Sequence, residues 1–258
     1  TSMEYMSSAI GAAKVRRASH FLEEDGRGFL VAIDMQTASG EGPDLDIVEK
    51  IAAGGPNGIL CSWQIARRYP EAFRNCALVL RIDGTTTMLG KYGQGDQFAQ
   101  MYEIEMAARI GADAVVCMAF PGADDDFVGM RKLVAMVNEA EKVGMPVIAE
   151  SIPGSWPPNE LWSAEGIAKA ARICVEVGAD AIKTMMPEDA SEIPDVIANI
   201  EAPVFCLGGP KKGEDEAVEY AGMVVGAGAS GIAFGRNVFG AKDPTAMVKR
   251  LYEAVHGA

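Results

Sequence analysis

Histidine is scarce in this sequence of 258 residues, which has only His20 near one end of the chain and His256 near the other. Zinc sites in proteins are commonly built on two or three histidines, so a site of that kind is nearly excluded. Histidine is also the usual proton carrier near neutral pH. If the chain is an enzyme, we therefore expect its proton transfers to proceed without histidine.

Cysteine is present in an odd number, and no two cysteines form a C-x-x-C pair. Most of them lie within apolar runs, which predicts buried thiols rather than a disulfide framework. The cysteines are Cys61, Cys76, Cys117, Cys174 and Cys206. Thiols of this kind are typical of a reducing compartment, and we expect a cytoplasmic protein.

The sequence also lacks long apolar segments and an excess of positive charge. No apolar run reaches about 18 residues, so no membrane span is predicted. No positively charged segment precedes an apolar stretch, so no signal peptide is predicted either. The formal net charge is −13 and is spread along the chain. We therefore expect a soluble protein that binds neither membranes nor nucleic acid.

What the chain does contain is a series of short apolar runs separated by helical patterns. The runs cover residues 28–34, 58–61, 77–83, 114–118, 146–150, 179–183, 202–207 and 231–234. Their apolar residues are continuous rather than alternating, which is typical of parallel strands buried on both faces. The clearest helical patterns cover residues 97–110, 126–143, 160–177 and 215–227.

This alternation of strands and helices over about 250 residues predicts an α/β fold of the (β/α)₈ TIM-barrel type. A doubly wound sheet is the alternative, but it would use fewer strands, and the first turn after a strand lacks G-x-G-x-x-G. No linker divides the chain, so we expect a single domain over residues 1–258. Residues 3–27 are predicted to be a helical extension, with an extra helix over about residues 3–19 that closes the barrel's bottom.

Polar residues fall at the ends of several runs, where the active sites of such barrels lie. Lys183 ends the sixth run, either as a side chain that reaches water or as an amine that forms a Schiff base. Glu150 ends the fifth run and is a natural partner for Lys183, in a structural ion pair or in proton transfer. Asp34 ends the first run, as a proton shuttle, a ligand of substrate hydroxyls or a loop carboxylate.

Two further sets of residues near run ends each have two interpretations. Arg81 and Asp83 lie two residues apart and so point to the same side of their strand. Arg81 either pairs with Asp83 or binds an anionic group of a substrate. Trp156 and Trp162 follow Glu150 in a proline-rich segment, for which we expect surface or interface packing or a lid.

Glycine-bearing loops follow the last two runs. Gly208 and Gly209 come after the seventh run, and Gly235 and Arg236 come after the eighth. These two loops form the common phosphate site of TIM barrels, because glycine lets backbone N–H groups approach phosphate oxygens. Arg236 adds a charge-assisted hydrogen bond. Turn glycines that any barrel needs are the alternative, and we favour phosphate binding.

The residues of the last three runs resemble those of a known family. The matching stretches are A-D-A-I-K-T at 179–184, P-V-F-C-L-G-G-P-K at 203–211 and G-I-A-F-G-R-N-V at 231–238. They are similar to the archaeal-type class I fructose-bisphosphate aldolases, within the DeoC/LacD-like Schiff-base aldolases. That group includes aminodeoxyheptulosonate synthases and a thiolase that processes a phosphorylated quorum signal. The resemblance runs from about Phe29 to the C-terminus.

The resemblance implies a TIM barrel that uses no metal and no cofactor, with Lys183 as the Schiff-base lysine. It implies that Asp34 lies near the reacting carbons. It also implies that a substrate phosphate is held by Gly208, Gly209, Gly235 and Arg236. Family members act in carbohydrate metabolism and are commonly homo-oligomers, so the resemblance implies an assembly based on pentamers or decamers.

The sequence departs from the family's pattern at three places. The family's Asp-His-Gly after the first strand is here Asp34-Met35-Gln36. The family's tyrosine acid/base is replaced by Ile152, and an arginine suited to a second phosphate is replaced by Gly154. We therefore expect a substrate other than fructose bisphosphate, with Glu150, Ser151 or Asp34 taking over the proton transfer. Ser151 is also a candidate for substrate binding.

Three functional hypotheses follow. The first is a metal-independent class I aldolase or related carbon–carbon lyase that acts on a phosphorylated ketose or ketone through Lys183. The second is a thiolase-type transfer of an acyl group from a phosphorylated diketone to coenzyme A. The third is a sugar-phosphate-binding barrel without catalytic activity.

Overall fold

The strands of the computed structural model form a closed parallel barrel; the structure describes residues 11–40, 44, 46–84, 87, 89, 98–156 and 158–257. The barrel strands are β1 (Gly28–Ile33), β2 (Gly58–Cys61), β3 (Ala77–Arg81), β4 (Ala114–Ala119), β5 (Val147–Ser151), β6 (Ala181–Thr184), β7 (Val204–Leu207) and β8 (Gly231–Phe234). Their order around the barrel is β1-β8-β7-β6-β5-β4-β3-β2, and every neighbouring pair is parallel. The predicted TIM-barrel fold is confirmed.

Helices surround the barrel. They are α1 (Ala12–Ala18), α2 (Gln36–Ser39), α3 (Ile47–Gly54), α4 (Trp63–Arg68), α5 (Ile104–Arg109), α6 (Asp126–Val143), α7 (Ala164–Glu176), α8 (Ile193–Ala198), α9 (Glu214–Gly226), α10 (Arg236–Phe239) and α11 (Pro244–His256). Among the described helices, none is both long and apolar enough to cross a membrane.

Each barrel strand buries both of its faces, which explains the continuous apolar runs in the sequence. Alternate side chains such as Leu30, Leu60, Val79 and Val116 form a compact cluster inside the barrel. The side chains between them belong to a larger cluster that joins the strands to the helices. Since successive strand residues point to opposite faces, this alternation also decides which polar residues at the strand ends face inward.

Short polar and glycine residues define the ends of the helices. The Ser163 hydroxyl accepts a hydrogen bond from the backbone N–H of Gly166 and so caps the start of α7. Gly144 follows the C-terminal end of α6 with φ = +62°, a left-handed conformation that glycine adopts at low cost.

The segment before β1 closes the bottom of the barrel. Phe21 and Leu22 pack with the interior cluster, and the rings of Phe21 and Phe205 lie 6.2 Å apart. The buried Lys14 of α1 donates to both carboxylate oxygens of Asp180 at 3.0 Å, just before β6. Part of the predicted helix over residues 3–19 lies outside the described residues; the described part is α1.

One predicted helix begins later than expected. The pattern over residues 97–110 gives a helix only from Ile104 to Arg109, while Ala99–Gln100 pairs antiparallel with Asp83–Gly84 in a short ribbon. The backbone N–H groups of Met101 and Tyr102 both donate to the carbonyl of Ile82. These bonds hold the segment extended, and Phe98 at its start lies in the barrel mouth rather than on a helix face.

Candidate active site

A cavity of about 310 Å³ opens at the C-terminal ends of the barrel strands. Eight of the nine predicted site residues line it: Asp34, Arg81, Glu150, Lys183, Gly208, Gly209, Gly235 and Arg236. They come from β3, β5 and β6 and from the segments that follow β1, β7 and β8, so the barrel brings together residues up to about two hundred positions apart. The topology rule thus predicted their common location.

Lys183 and Glu150 face each other at the floor of the cavity. They are register partners on the adjacent strands β5 and β6, and both side chains point inward. Lys183 Nζ lies 2.9 Å from Glu150 Oε2, and the two residues are only 3% and 6% exposed. The solvated interpretation of Lys183 is therefore wrong, because the strand ends inside the barrel mouth rather than at the surface.

Glu150 is held in its ionised form. Burial raises the pKa of this carboxyl, but the charges and hydrogen bonds of Lys183 and Arg81 outweigh burial and lower the pKa from 4.5 to about 2. Near neutral pH the side chain is thus a carboxylate that only accepts hydrogen bonds. Glu150 can take a proton from Lys183 only in a step that also removes the positive charge of the lysine, because the two groups titrate together.

Arg81 is the centre of the charged floor. Its Nε donates to Asp34 Oδ2 at 2.8 Å, its Nη1 to Asp83 Oδ1 at 3.2 Å, and its Nη2 to Glu150 Oε2. Burial lowers the pKa of Arg81, but the charges of Asp34, Glu150 and Asp83 hold it well above its usual value. The pairing of Arg81 with Asp83 is present. Because its three nitrogens each bond to a carboxylate, Arg81 positions acids rather than offering a free fork to a substrate anion.

Asp83, in the short ribbon after β3, connects this network to Lys132 of α6. Asp83 Oδ2 accepts hydrogen bonds from Lys132 Nζ at 2.8 Å and from the backbone N–H of Met118 at 2.7 Å. Lys132 also donates to the carbonyl of Met118 at 2.9 Å. Sequence reasoning missed Lys132, because a long side chain from the middle of α6 carries no local pattern that points to residues on β3.

The glycine loops after β7 and β8 form the side of the cavity opposite β3 and β4. A Cβ on Gly208 would lie 2.8 Å from Phe234 Cδ1, and Gly209 has φ = +67°. Arg236 Nη2 donates to the carbonyl of Gly209 at 3.0 Å. The side chain of Asn237 joins the loops, since its amide nitrogen donates to the Gly208 carbonyl at 3.1 Å. Close packing and a left-handed turn therefore both require glycine here.

Ser151 lies on the other face of its strand. It is fully buried, does not line the cavity and lies next to Cys174 of α7. Since Glu150 points inward, the period of two along a strand sends Ser151 outward. The expectation that Ser151 binds substrate or transfers a proton therefore has no support in the geometry.

The position of the family's tyrosine is filled by a buried apolar side chain. Ile152 has no exposed surface and packs with Phe98, Met118 and Phe120. Gly154, where the family has an arginine, has φ = +71°. A side chain there would be strained, and its Cβ would lie 2.9 Å from Asn159 Oδ1.

The sequence interpretation missed the apolar part of the cavity wall. Phe98, Met118 and Trp156 line the cavity. Met118 follows Val116 on the inward face of β4, so strand alternation was a signal that pointed to it. Phe98 and Trp156 come from irregular segments, where no periodicity applies.

Among the described residues, no group of three His, Cys, Asp or Glu side chains has an arrangement that holds a metal ion.

Comparison with known proteins gives a family match and several relatives. The family model described as DeoC/LacD family aldolase matches residues 29–241. The chain is 29% identical over 198 residues to a 3-hydroxy-5-phosphonooxypentane-2,4-dione thiolase from Klebsiella pneumoniae and to one from Escherichia coli K12. The alignments cover 77% of this chain but only 64% and 65% of those relatives. The chain thus spans under two thirds of their length.

Two solved structures are similar over nearly the whole chain. A Schiff-base-forming fructose-1,6-bisphosphate aldolase has a TM-score of 0.83 at 27% identity, covering 95% of this chain and 100% of its own. An archaeal fructose-1,6-bisphosphate aldolase, with its catalytic lysine bound covalently to the carbinolamine intermediate, has a TM-score of 0.82 at 26% identity. That match covers 94% of this chain and 99% of the aldolase. The resemblance inferred from the sequence is confirmed.

Proposed function

Since the chain belongs to the DeoC/LacD family of aldolases and is an enzyme of the class I aldolase type, we propose that it makes or breaks a carbon–carbon bond through a Schiff base on Lys183. Its substrate is a phosphorylated ketose or ketone, and the reaction needs no metal. The observation that carries this proposal is the buried Lys183 amine, 2.9 Å from Glu150 in a cavity that the two glycine loops also line.

The reaction begins with a proton transfer, because only an uncharged amine attacks a carbonyl carbon. Lys183 gives a proton to Glu150 Oε2, and its nitrogen lone pair then forms a bond to the ketone carbon. The resulting carbinolamine loses water and becomes a protonated imine. Once Lys183 has lost its charge, Glu150 binds the proton more readily, since the cation that kept it ionised is gone.

Cleavage then uses the imine as an electron sink. A carboxylate takes the proton from the hydroxyl group beside the breaking bond, the bond's electron pair moves to form an enamine, and an aldehyde leaves. Protonation of the enamine carbon and hydrolysis of the imine release the second product and restore Lys183. Asp34, fixed to Arg81 Nε at 2.8 Å and facing the same cavity, is the carboxylate we assign to the hydroxyl proton.

The phosphate of the substrate binds at the loops after β7 and β8. Gly208, Gly209 and Gly235 let the backbone approach the phosphate oxygens, and Arg236 supplies a positive charge. Lys183 stands on β6, next to β7, so a phosphate at the loops is within a short carbon chain of the amine. A cytoplasmic location and assembly into homo-oligomers stay predictions.

Borohydride trapping tests the imine. The protein is incubated with dihydroxyacetone phosphate or another monophosphorylated ketone, reduced, and mapped by peptide mass spectrometry. We expect the mass of the reduced adduct on Lys183 and none in Lys183→Met. The nearby Lys132 serves as an internal control, because its amine is bonded to Asp83 and Met118. Failure of every ketone to label Lys183, or labelling at Lys132 instead, contradicts the mechanism.

A second function is favoured by the names of the relatives. The matched Klebsiella and Escherichia proteins are thiolases for a phosphorylated diketone. This chain also has Ile152 where the aldolases carry the tyrosine that transfers protons. In that reaction the cleaved acyl group passes to the sulfur of coenzyme A. Product analysis with and without coenzyme A separates the two functions: an aldolase needs no thiol, whereas the thiolase forms an acyl thioester only when it is present.

A further inference from the structure

The cavity differs in chemistry at its two ends. The glycine loops follow β7 and β8, and β4 lies four strands away from β8 around the closed barrel of eight, so the ends of β3 to β5 face these loops across the mouth. That opposite side carries Arg81, Asp83 and Glu150, which pair with one another, and it also carries the carbon surface of Phe98, Met118 and Trp156. A substrate whose phosphate is at the loops and whose ketone is at Lys183 therefore extends its remaining carbons toward this apolar side.

The apolar side is held in place by further aromatic packing. The rings of Phe98 and Phe120 lie 5.4 Å apart, and Trp156 meets Trp162 edge to face at 5.0 Å. Ile152 packs in the same cluster, with no exposed surface. These contacts leave the side chains little freedom to turn away, so a group that lies beside them meets carbon surface.

The positive charges near the cavity are distributed unevenly. Arg81 and Lys183 both bond to carboxylates. Lys132 approaches the Phe98 ring at 5.9 Å, but its amine is bonded to Asp83 and to the Met118 carbonyl. Among the described residues that line the cavity, Arg236 is the cation without a carboxylate partner, and it stands at the glycine loops.

We propose that this site takes a ketone with a single phosphate, and that the aldehyde fragment beyond the breaking bond is uncharged and apolar. The proposal rests on the proposed function and specifies its substrate class. A second phosphate beside Phe98 and Met118 would lose its water and, among the described residues that line the cavity, would meet no cation there that is free of a carboxylate. An alkyl or aryl group would instead bury apolar surface.

In the direction of addition, the enzyme joins the ketone to the aldehyde. The electron pair of the enamine double bond forms the bond to the aldehyde carbon, while the nitrogen lone pair restores the imine. The aldehyde oxygen takes a proton from a carboxylic acid group of the site and becomes a hydroxyl. Water then hydrolyses the imine, so that one monophosphorylated ketone and one aldehyde give one monophosphorylated hydroxyketone.

The test combines donor trapping with a panel of aldehydes on the wild-type protein. Borohydride trapping first identifies a monophosphorylated ketone that labels Lys183. With that donor, kcat/KM is measured for propanal, 2-methylpropanal, glyceraldehyde and glyceraldehyde 3-phosphate. We expect the two apolar aldehydes to exceed glyceraldehyde 3-phosphate by at least about tenfold.

A cation added to the apolar side should reverse this preference. In Trp156→Arg and Phe98→Arg, the ratio of kcat/KM for glyceraldehyde 3-phosphate to that for propanal is expected to rise by about tenfold or more. Phe127→Arg is the matched control, because it makes the same kind of change on the exposed surface of α6, where Phe127 is 66% exposed. That control should leave the ratio unchanged.

The possible outcomes separate the two proposals. Trapping at Lys183 together with a preference for glyceraldehyde 3-phosphate in the wild type overturns this inference and leaves the proposed function standing. Absence of trapping with every ketone overturns the proposed function and this inference with it. If neither arginine variant folds, the aldehyde preference of the wild-type protein supports or overturns the inference by itself.

Discussion

Lys183 Nζ and Arg81 Nη2 bond to the same oxygen of Glu150, with Lys183 at 2.9 Å. A single carboxylate oxygen therefore lies between the proposed nucleophile and a permanently charged guanidinium. Lys183 and Arg81 together keep Glu150 ionised while Lys183 is charged, and Arg81 stays bonded to Glu150 when the proton of Lys183 moves to it. The shared oxygen couples the proton state of the amine to the rest of the charged floor.

Replacing Glu150 with Gln should impair turnover more than it impairs binding. The amide keeps the shape but cannot accept the proton of Lys183, so we expect kcat to fall by roughly a hundredfold to ten-thousandfold. Steady-state kinetics with the best donor and borohydride trapping rates measure this. Glu165→Gln removes an exposed carboxylate that pairs with Lys169 on α7 and should leave kcat unchanged. Full activity in Glu150→Gln would rule out Glu150 as the proton acceptor.

The same substitution should change how stability depends on pH. The folded-state pKa of Glu150 is lowered from 4.5 to about 2, so its charge stabilises the fold fully above pH 4.5 and loses that effect as the pH falls toward 2. Urea denaturation should therefore show the wild type more stable than Glu150→Gln at pH 7, with the gap narrowing below pH 4.5. A gap that stays constant down to pH 3 would contradict the assigned charge state.

The fold could be predicted because the signal repeats around the barrel. Strands such as Val147–Ser151 are buried on both faces, so their continuous apolar runs are distinct from the amphipathic pattern of Asp126–Val143, and the predicted and observed limits of that helix coincide. The pattern over residues 97–110 misled, because hydrogen bonds to the carbonyl of Ile82 decide the conformation of Met101 and Tyr102. A contact across the chain overrode the local pattern.

The charged floor could be predicted only in part. Lys183, Glu150 and Asp34 lie at strand ends, and the topology brings strand ends together. The outward direction of Ser151 follows from the inward direction of Glu150, so that miss was avoidable. The pairing of Lys132 with Asp83 was not predictable, because it depends on how far α6 lies from β3 and on a flexible side chain that spans the gap.

Asp83→Asn should disturb the site although Asp83 is not placed in contact with the reacting atoms. Asp83 accepts hydrogen bonds from Arg81, Lys132 and Met118. An amide takes one of its three carboxylate partners from the buried Arg81 and removes the carboxylate partner of Lys132, whose side chain is 10% exposed. This should lower the free energy of unfolding by about 3–5 kcal/mol. Arg81 is then free to shift relative to Asp34 and Glu150, and we expect kcat to fall up to about a hundredfold.

Asp113→Asn provides the comparison for this positioning role. Asp113 accepts the backbone N–H of Leu78 at 2.9 Å and pairs with His20, outside the catalytic cavity. It should lose stability while keeping kcat and its pH profile. A purely structural role for Asp83 would make the two variants alike, with activity per folded molecule unchanged in both. A shifted pH profile in Asp83→Asn alone would support its action through Arg81.

Gly208→Ala should weaken phosphate binding more than catalysis. The added Cβ would lie 2.8 Å from Phe234 Cδ1 and 2.9 Å from Asn237 Nδ2, so the loop after β7 must move and its N–H groups move with it. We expect KM for the phosphorylated ketone to rise by about tenfold, or about 1.4 kcal/mol, with a smaller change in kcat.

Gly213→Ala in the same loop is the control. An added Cβ at Gly213 would have Glu216 Cβ as its nearest neighbour at 3.9 Å, and the φ of Gly213 is −59°. Inhibition by inorganic phosphate should weaken in parallel with KM; if it does not, the phosphate binds elsewhere in the cavity.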